Sequence, residues 1–194
     1  HGLFAGGRIE HYYDVSTLKR REETLEALHE ATRQLIDAES ARAVGDHVVD
    51  IGVEIIEADT TVFYLRETES GSLAPVSVRS AGDDPIDPAT ITPGDGVRWE
   101  TVIEGDPREV DGAENDPSTA DNETALLHPV ATHGLIELGY LGTDGVPEGS
   151  RPFADILAAN TEVTLDRTAR ERALRERDEQ LERRNDQLRR LNRI

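Results

Sequence analysis

Three features of the sequence bear on chemistry: two nearby histidines, a glycine pair ahead of a short amphipathic run, and a leucine repeat near the C-terminal end. His128 and His133 are five residues apart in a segment that reads as strand. An odd spacing on a strand sends side chains to opposite faces, so the pair is not expected to share one metal. Gly94-Asp95-Gly96 precedes a run with helical spacing, where backbone N–H groups can bind a phosphate. Asp83, Asp84, Asp87 and Asp95 crowd that turn and would repel the anion. There is no Walker loop, no Gly-x-Ser-x-Gly and no His-Glu-x-x-His. With no cysteine, thiol nucleophiles, zinc-thiolate sites and iron–sulfur clusters are excluded. The sequence singles out no catalytic residue, and neither a metal nor a cofactor is expected.

The leucine repeat points to association. Leu174, Leu181 and Leu188 recur every seven residues, and Asp178, Asn185 and Asn192 fall on the adjacent seam position. A leucine seam with Asn at intervals suits a parallel two-stranded coil, because Asn pairs across the interface and fixes register at some cost in stability. Glu171–Arg175, Glu179–Arg183 and Asp186–Arg190 add i,i+4 ion pairs. The competing reading is a solitary charged helix, solvated all round. Leu18, Leu25, Leu28 and Leu35 make a similar stripe in the first helical segment.

Charge separates two regions. Forty acidic residues face 21 basic ones, for a net charge of −19, and every basic residue but Lys19 is Arg. Residues 167–194 carry +4, which leaves −23 on the rest. An acidic, Lys-poor surface stays hydrated in multimolar salt, where charges are screened within ~3 Å, and it reads as a halophile's surface. It also argues against nucleic-acid binding by these residues, which needs a basic patch. No run approaches a membrane span and His1 opens no secretory signal, so a cytoplasmic piece of a longer protein is expected.

The elements follow from periodicity. Residues 8–13 suggest a short strand. Val15 to Ile36 is helical in pattern. Ser40 is a good N-cap for a helix over Ala41 to Ala58, with Val44, Val48, Ile51 and Ile55 facing a sheet. Thr60–Arg66 and Leu73–Ser80 make a hairpin across Glu69–Ser72, and Gly96–Glu104 is a short helix with Val97, Thr101 and Val102 or Ile103 inward. A further short strand is expected near Arg108–Val110. Ala125–Thr132 and Leu135–Thr143 form a second hairpin, and from about Arg151 one helix runs to the end. Residues 81–124, outside the short helix, read as an acidic, solvated, partly mobile lid. The fold class is α+β: a central antiparallel sheet with helices packed on one face, flanked by long N- and C-terminal helices.

This order and three local strings resemble the GAF family of sensory domains over roughly residues 20–168. The strings are Gly94–Val97 leading to Gly105–Asp111, Leu126–Val130 leading to Gly134–Gly139, and Phe153–Asn160. Asp14-Val15-Ser16-Thr17 resembles the ending of a PAS domain; the alternative is a plain N-cap, with Asp14 or Ser16 starting the helix. The resemblance implies a PAS remnant at 1–17, a GAF-like domain with its N-terminal helix at 18–168, and a coiled-coil linker at 169–194. With the acidic composition, this order is similar to haloarchaeal bacterio-opsin-activator-like regulators and haloarchaeal sensor histidine kinases, with the output domain beyond Ile194.

In the resembled family, ligands lie between the sheet and the short helix. The positions that would line such a pocket are Tyr64, Val97, Trp99, Ile103 and His128, with Trp99, the only Trp, as a stacking surface. The alternative is that these side chains fill ordinary core. The family's cyclic-nucleotide signature is missing, and its cysteine-dependent activities have no residue to use. The resemblance therefore implies a non-enzymatic sensory module that pairs with a second copy of itself through Leu18, Leu25, Leu28, Leu174, Leu181, Asn185 and Leu188. An unidentified small molecule is a further partner; nucleic acid and membrane are not.

Overall fold

The computed structural model describes residues 19, 22, 25–82, 86–111, 123–143 and 145–191, with the side chains of Glu123, Asn185, Asp186 and 188–191 left aside. The expected strand over residues 8–13, the PAS-like stretch and Leu18 lie outside these residues. So do the lid residues 83–85 and 112–122.

The first described helix, α1, covers residues 25–36. It is followed by α2 (Ala41–Glu54), β1 (Thr60–Arg66), β2 (Leu73–Ser80), α3 (Gly96–Glu104), β3 (Arg108–Asp111), β4 (Glu123–Val130), β5 (Gly134–Leu141) and α4 (Ser150–Leu191). The strands form one five-stranded sheet in the order β2-β1-β5-β4-β3, and every neighbouring pair is antiparallel. The α+β reading with an antiparallel sheet therefore holds. Ser40 caps α2 as expected, its hydroxyl accepting from Ala43 N–H at 3.1 Å. That helix ends at Glu54 rather than Ala58, and Glu57 then turns with a positive φ of 59°.

Alternation along each strand divides the core in two. Phe63, Leu126, Val130, Ile136, Leu138 and Tyr140 face α1, α2 and α4. Val62, Tyr64, Ala125, Leu127 and Leu135 face the opposite way, towards α3. The α2 helix seats closely because Gly45 and Gly52 lie on its sheet side. A Cβ at Gly52 would fall on the Thr61 side chain, and one at Gly45 would come within 2.8 Å of Phe63. The same helix is tied to the edge strand by Ser77, which donates to Asp46, and by Arg79, which bridges Asp50 and Glu54.

The helices α1 and α4 run side by side in the same direction. Asn160 of α4 meets Thr32 of α1 at 3.3 Å, and one turn or two further on Arg167 donates to the carbonyls of Ile36 and Ala38. Arg167 thus closes off the C-terminal end of α1, where the last carbonyls have no partner in the helix. Beyond that point α4 continues without a break to Leu191. Its first half buries Ala154, Leu157, Ala158 and Leu165, whereas Leu174 and Leu181 are 61% and 56% exposed. Leu25 is exposed and Leu28 is buried in the core. Of the pairs expected on α4, Glu171–Arg175 and Glu179–Arg183 form. Among the described residues, no helix is long and apolar enough to cross a membrane.

Candidate functional site

The sheet face beneath α3 is where the sequence-derived pocket residues partly converge. Tyr64 is 3% exposed, on β1, and belongs to the apolar cluster of Val62, Leu73, Leu127 and Leu135. Val97 and Trp99 are half-buried and pack on that cluster. Ile103 does not join them. It is 55% exposed, because the inward stripe of α3 runs through Arg98, Thr101 and Val102, spaced three and four apart, and position 103 falls off that stripe.

His128 also lies elsewhere. On β4 it shares the parity of Leu126 and Val130, so it faces the helices and not α3. Its Nε2 is 2.9 Å from Asp155 of α4, and its Nδ1 is 3.0 Å from the Pro129 carbonyl. His133 turns the same way. Its Nε2 lies 2.9 Å from Asp166, also on α4. The expectation of opposite faces assumed that both histidines sit on one strand. The strand ends at Val130, Ala131 turns with φ 43°, and His133 stands in the turn, so the parity rule does not apply to it. Among the described residues, no group of three or more His, Asp or Glu is placed to hold a metal ion.

At the centre of the α3 face is a charged pair that the sequence reading overlooked. Glu137 of β5 is flanked across the sheet by Val62 on β1 and Leu127 on β4. It is 7% exposed. Arg98 reaches down from α3 and grips it through two parallel bonds, Nε to Oε2 at 2.8 Å and Nη2 to Oε1 at 2.6 Å. Such a fork is the strong form of a charge-assisted hydrogen bond. Beside it, the Arg66 guanidinium sits over the Trp99 ring, 5.4 Å from its centroid, in cation–π range. Thr101 is fully buried, and its hydroxyl donates to the Val97 carbonyl at 2.8 Å. One signal for Glu137 was available: it is the single acidic residue in the otherwise apolar strand Gly134–Leu141.

No protein-family model and no curated protein matches the chain. Solved structures do. The GAF domain of a phosphoenolpyruvate-protein phosphotransferase from Coxiella burnetii is 15% identical, with a TM-score of 0.66, covering 79% of this chain and 98% of that one. A free methionine-R-sulfoxide reductase from Neisseria meningitidis, in complex with its substrate, is 16% identical at TM-score 0.64, covering 78% and 93%. The GAF-B domain of DevS from Mycobacterium smegmatis is 16% identical at TM-score 0.58, covering 70% and 99%. At these identities the likeness establishes the fold: the chain is folded as a GAF domain.

Proposed function

We propose that this chain is a non-enzymatic sensory and dimerisation module of a cytoplasmic signalling or transcription-regulating protein. In this reading α1 receives a signal from the chain before it, the domain adds to or gates that signal, and α4 passes it to an output domain beyond Ile194. The observation that carries the reading is the unbroken course of α4 from Ser150 to Leu191. One helix is both core of the domain and a free rod, so any shift of the domain is delivered along it. The exposed Leu174 and Leu181 on its distal half need a partner, and a parallel second copy supplies one. The parallel course of α1 and α4 supports a through-going relay, with entry at one end of the domain and exit at the other. The GAF fold of the neighbouring structures supports the sensory part, and one of those neighbours comes from a methyl-accepting chemotaxis protein.

Mechanically, a ligand or partner can shift the arrangement of the paired helices only by its difference in affinity for the two arrangements. The test is substitution of the distal stripe. Leu174→Glu with Leu181→Glu is expected to convert a dimer to a monomer while the domain keeps its far-UV circular dichroism. A double variant that stays dimeric places the contact elsewhere. The rival reading, a GAF domain of a sensor histidine kinase that binds a small molecule, shares the same relay and differs in its output domain. A scaffold with a filled core is the remaining alternative, and saturable ligand binding on the α3 face removes it.

A further inference from the structure

We propose that a second copy of this chain also docks on the half of α4 that belongs to the domain, through Ile156 and Val163. The dimer seam is then one straight stripe from the domain body to Leu181. The inference rests on the proposed pairing along α4 and adds to it the surface that the domain itself contributes.

Four large apolar side chains stand exposed along α4: Ile156, Val163, Leu174 and Leu181. Val163 is 66% exposed, as open as the two leucines, although the adjacent Thr164 and Leu165 are buried. The steps between the four are seven, eleven and seven residues. Seven residues leave a helix about 20° short of two turns, and eleven carry it about 20° past three. The deviations cancel, so all four lie on one line of a straight helix, about 38 Å long. Strict heptads do not join the two halves. Followed back in sevens from Leu174, the seam meets Arg167 and Asn160, which α1 already engages. Followed back from Asp178, it reaches Thr164 and Leu157, which are buried in the domain. Followed forward from Val163, it meets Arg170, Arg177 and Arg184. The eleven-residue step keeps open apolar side chains on both halves, and it relaxes the left-handed supercoil where the coil meets the domain.

The occupant is a second copy because the stripe is continuous in line with the distal seam. A partner helix laid on Leu174 and Leu181 and continued straight arrives on Val163 and then Ile156. The distal seam is also too small to hold a dimer alone. Leu174 and Leu181, with Leu188 by sequence, fall well short of the ~800 Å² per partner that a stable interface buries. Ile156 and Val163 extend that area, and α1 adds to it, since Leu25 and Ile36 are exposed and again eleven residues apart. Ile36 follows Thr32 by four residues and Val163 follows Asn160 by three, so the Thr32–Asn160 contact sets Ile36 and Val163 at nearly one level. In a parallel pair each seam residue meets its own copy. The two domains are then held against each other rather than tethered only by the coil beyond them.

The chain has no cysteine, so a single introduced thiol reports on one position. Val163→Cys, Leu181→Cys and, off the stripe, Ala169→Cys are oxidised with copper phenanthroline in multimolar KCl. Repulsion between two copies of charge −19 is screened there. All three positions are exposed, and far-UV circular dichroism checks each fold. A disulfide needs Cα atoms within about 7 Å. Val163→Cys and Leu181→Cys are expected to give covalent dimers at similar rates, at least about tenfold faster than Ala169→Cys. Linking by Leu181→Cys, with Val163→Cys no faster than Ala169→Cys, overturns this inference and leaves the distal pairing in place. If neither links and the chain sediments as a monomer, the paired reading falls and this one with it. Sedimentation of Val163→Glu is the second measure. Its dimer dissociation constant is expected to rise about tenfold or more, and an unchanged constant overturns the inference.

Discussion

His128 Nε2 on β4 lies 2.9 Å from Asp155 Oδ1 on α4, and the bond joins the sheet to the helix that runs on past the domain. Eleven residues further along α4, Asp166 receives His133 in the same way. These two histidines fasten α4 to the β4–β5 hairpin at both ends of its packed half. Both contacts lie on the helix side of the sheet, opposite α3.

The partners of the His128 contact are unequally exposed, and substitution should show it. His128 is buried and also meets the Pro129 carbonyl. His128→Ala should cost about 1–3 kcal/mol, since it empties buried volume and removes the side-chain contact of the Pro129 carbonyl. Asp155 is largely in solvent. Asp155→Ala should cost under about 1 kcal/mol. Denaturant titration of the two variants gives the comparison, and equal costs would mean that the carboxylate, not the packing, dominates.

Gly52→Ala tests how closely α2 sits on the sheet. Alanine favours a helix by about 1 kcal/mol over glycine. Here its Cβ would press on Thr61 and reach 3.0 Å from Leu138. Overpacking of that kind costs about 1–3 kcal/mol. A net loss of stability is expected in chemical denaturation, and a gain would show that α2 can lift away.

Glu109 gives a pH signature. It accepts from the Val146 N–H at 2.8 Å and from Arg151, tying β3 to the start of α4. The Val146 bond first and Arg151 second hold its carboxyl below the ordinary 4.5. A lowered folded-state value contributes stability above the unfolded value, and that contribution is lost as the pH falls through the folded one. Glu109→Gln should therefore be less stable than the parent above about pH 4.5, with the difference closing in stronger acid. Denaturation at stepped pH measures it, and a difference that grows on acidification would contradict the assignment.

Arg167 links the end of α1 to α4. Its guanidinium donates to two carbonyls at the end of α1 and pairs with Glu171 at 2.9 Å. Arg167→Ala leaves those carbonyls without their partner, at a cost of about 1–2 kcal/mol. Hydrogen exchange should accelerate in residues 25–36 more than in the sheet. Uniform acceleration would mean a global loss of stability and no local coupling.

Much of the fold was legible because its signals are local. The boundaries of β1, β2 and α3 follow from β-branched runs, a polar turn and a glycine start, and the order of elements led to the family fold. What was not legible depended on which face a residue takes. His128 could be set on either side of the sheet until the neighbours of β4 fixed its parity. Ile103 and Val102 are adjacent apolar residues, and only the docking of α3 decides between them. Arg98 and Glu137 escaped notice because their 39-residue separation carries no periodic signal. The heptad spacing of Leu174 and Leu181 was readable and both are exposed on α4, whereas Asn185 and Leu188 lie where the backbone is helical but the side chains are not described.

The central claim is that this module works as a pair joined along α4. Sedimentation equilibrium of the whole chain in multimolar KCl, across micromolar concentrations, tests it directly. The account predicts a mass of twice 21.4 kDa. A single species of 21.4 kDa at every concentration would contradict it.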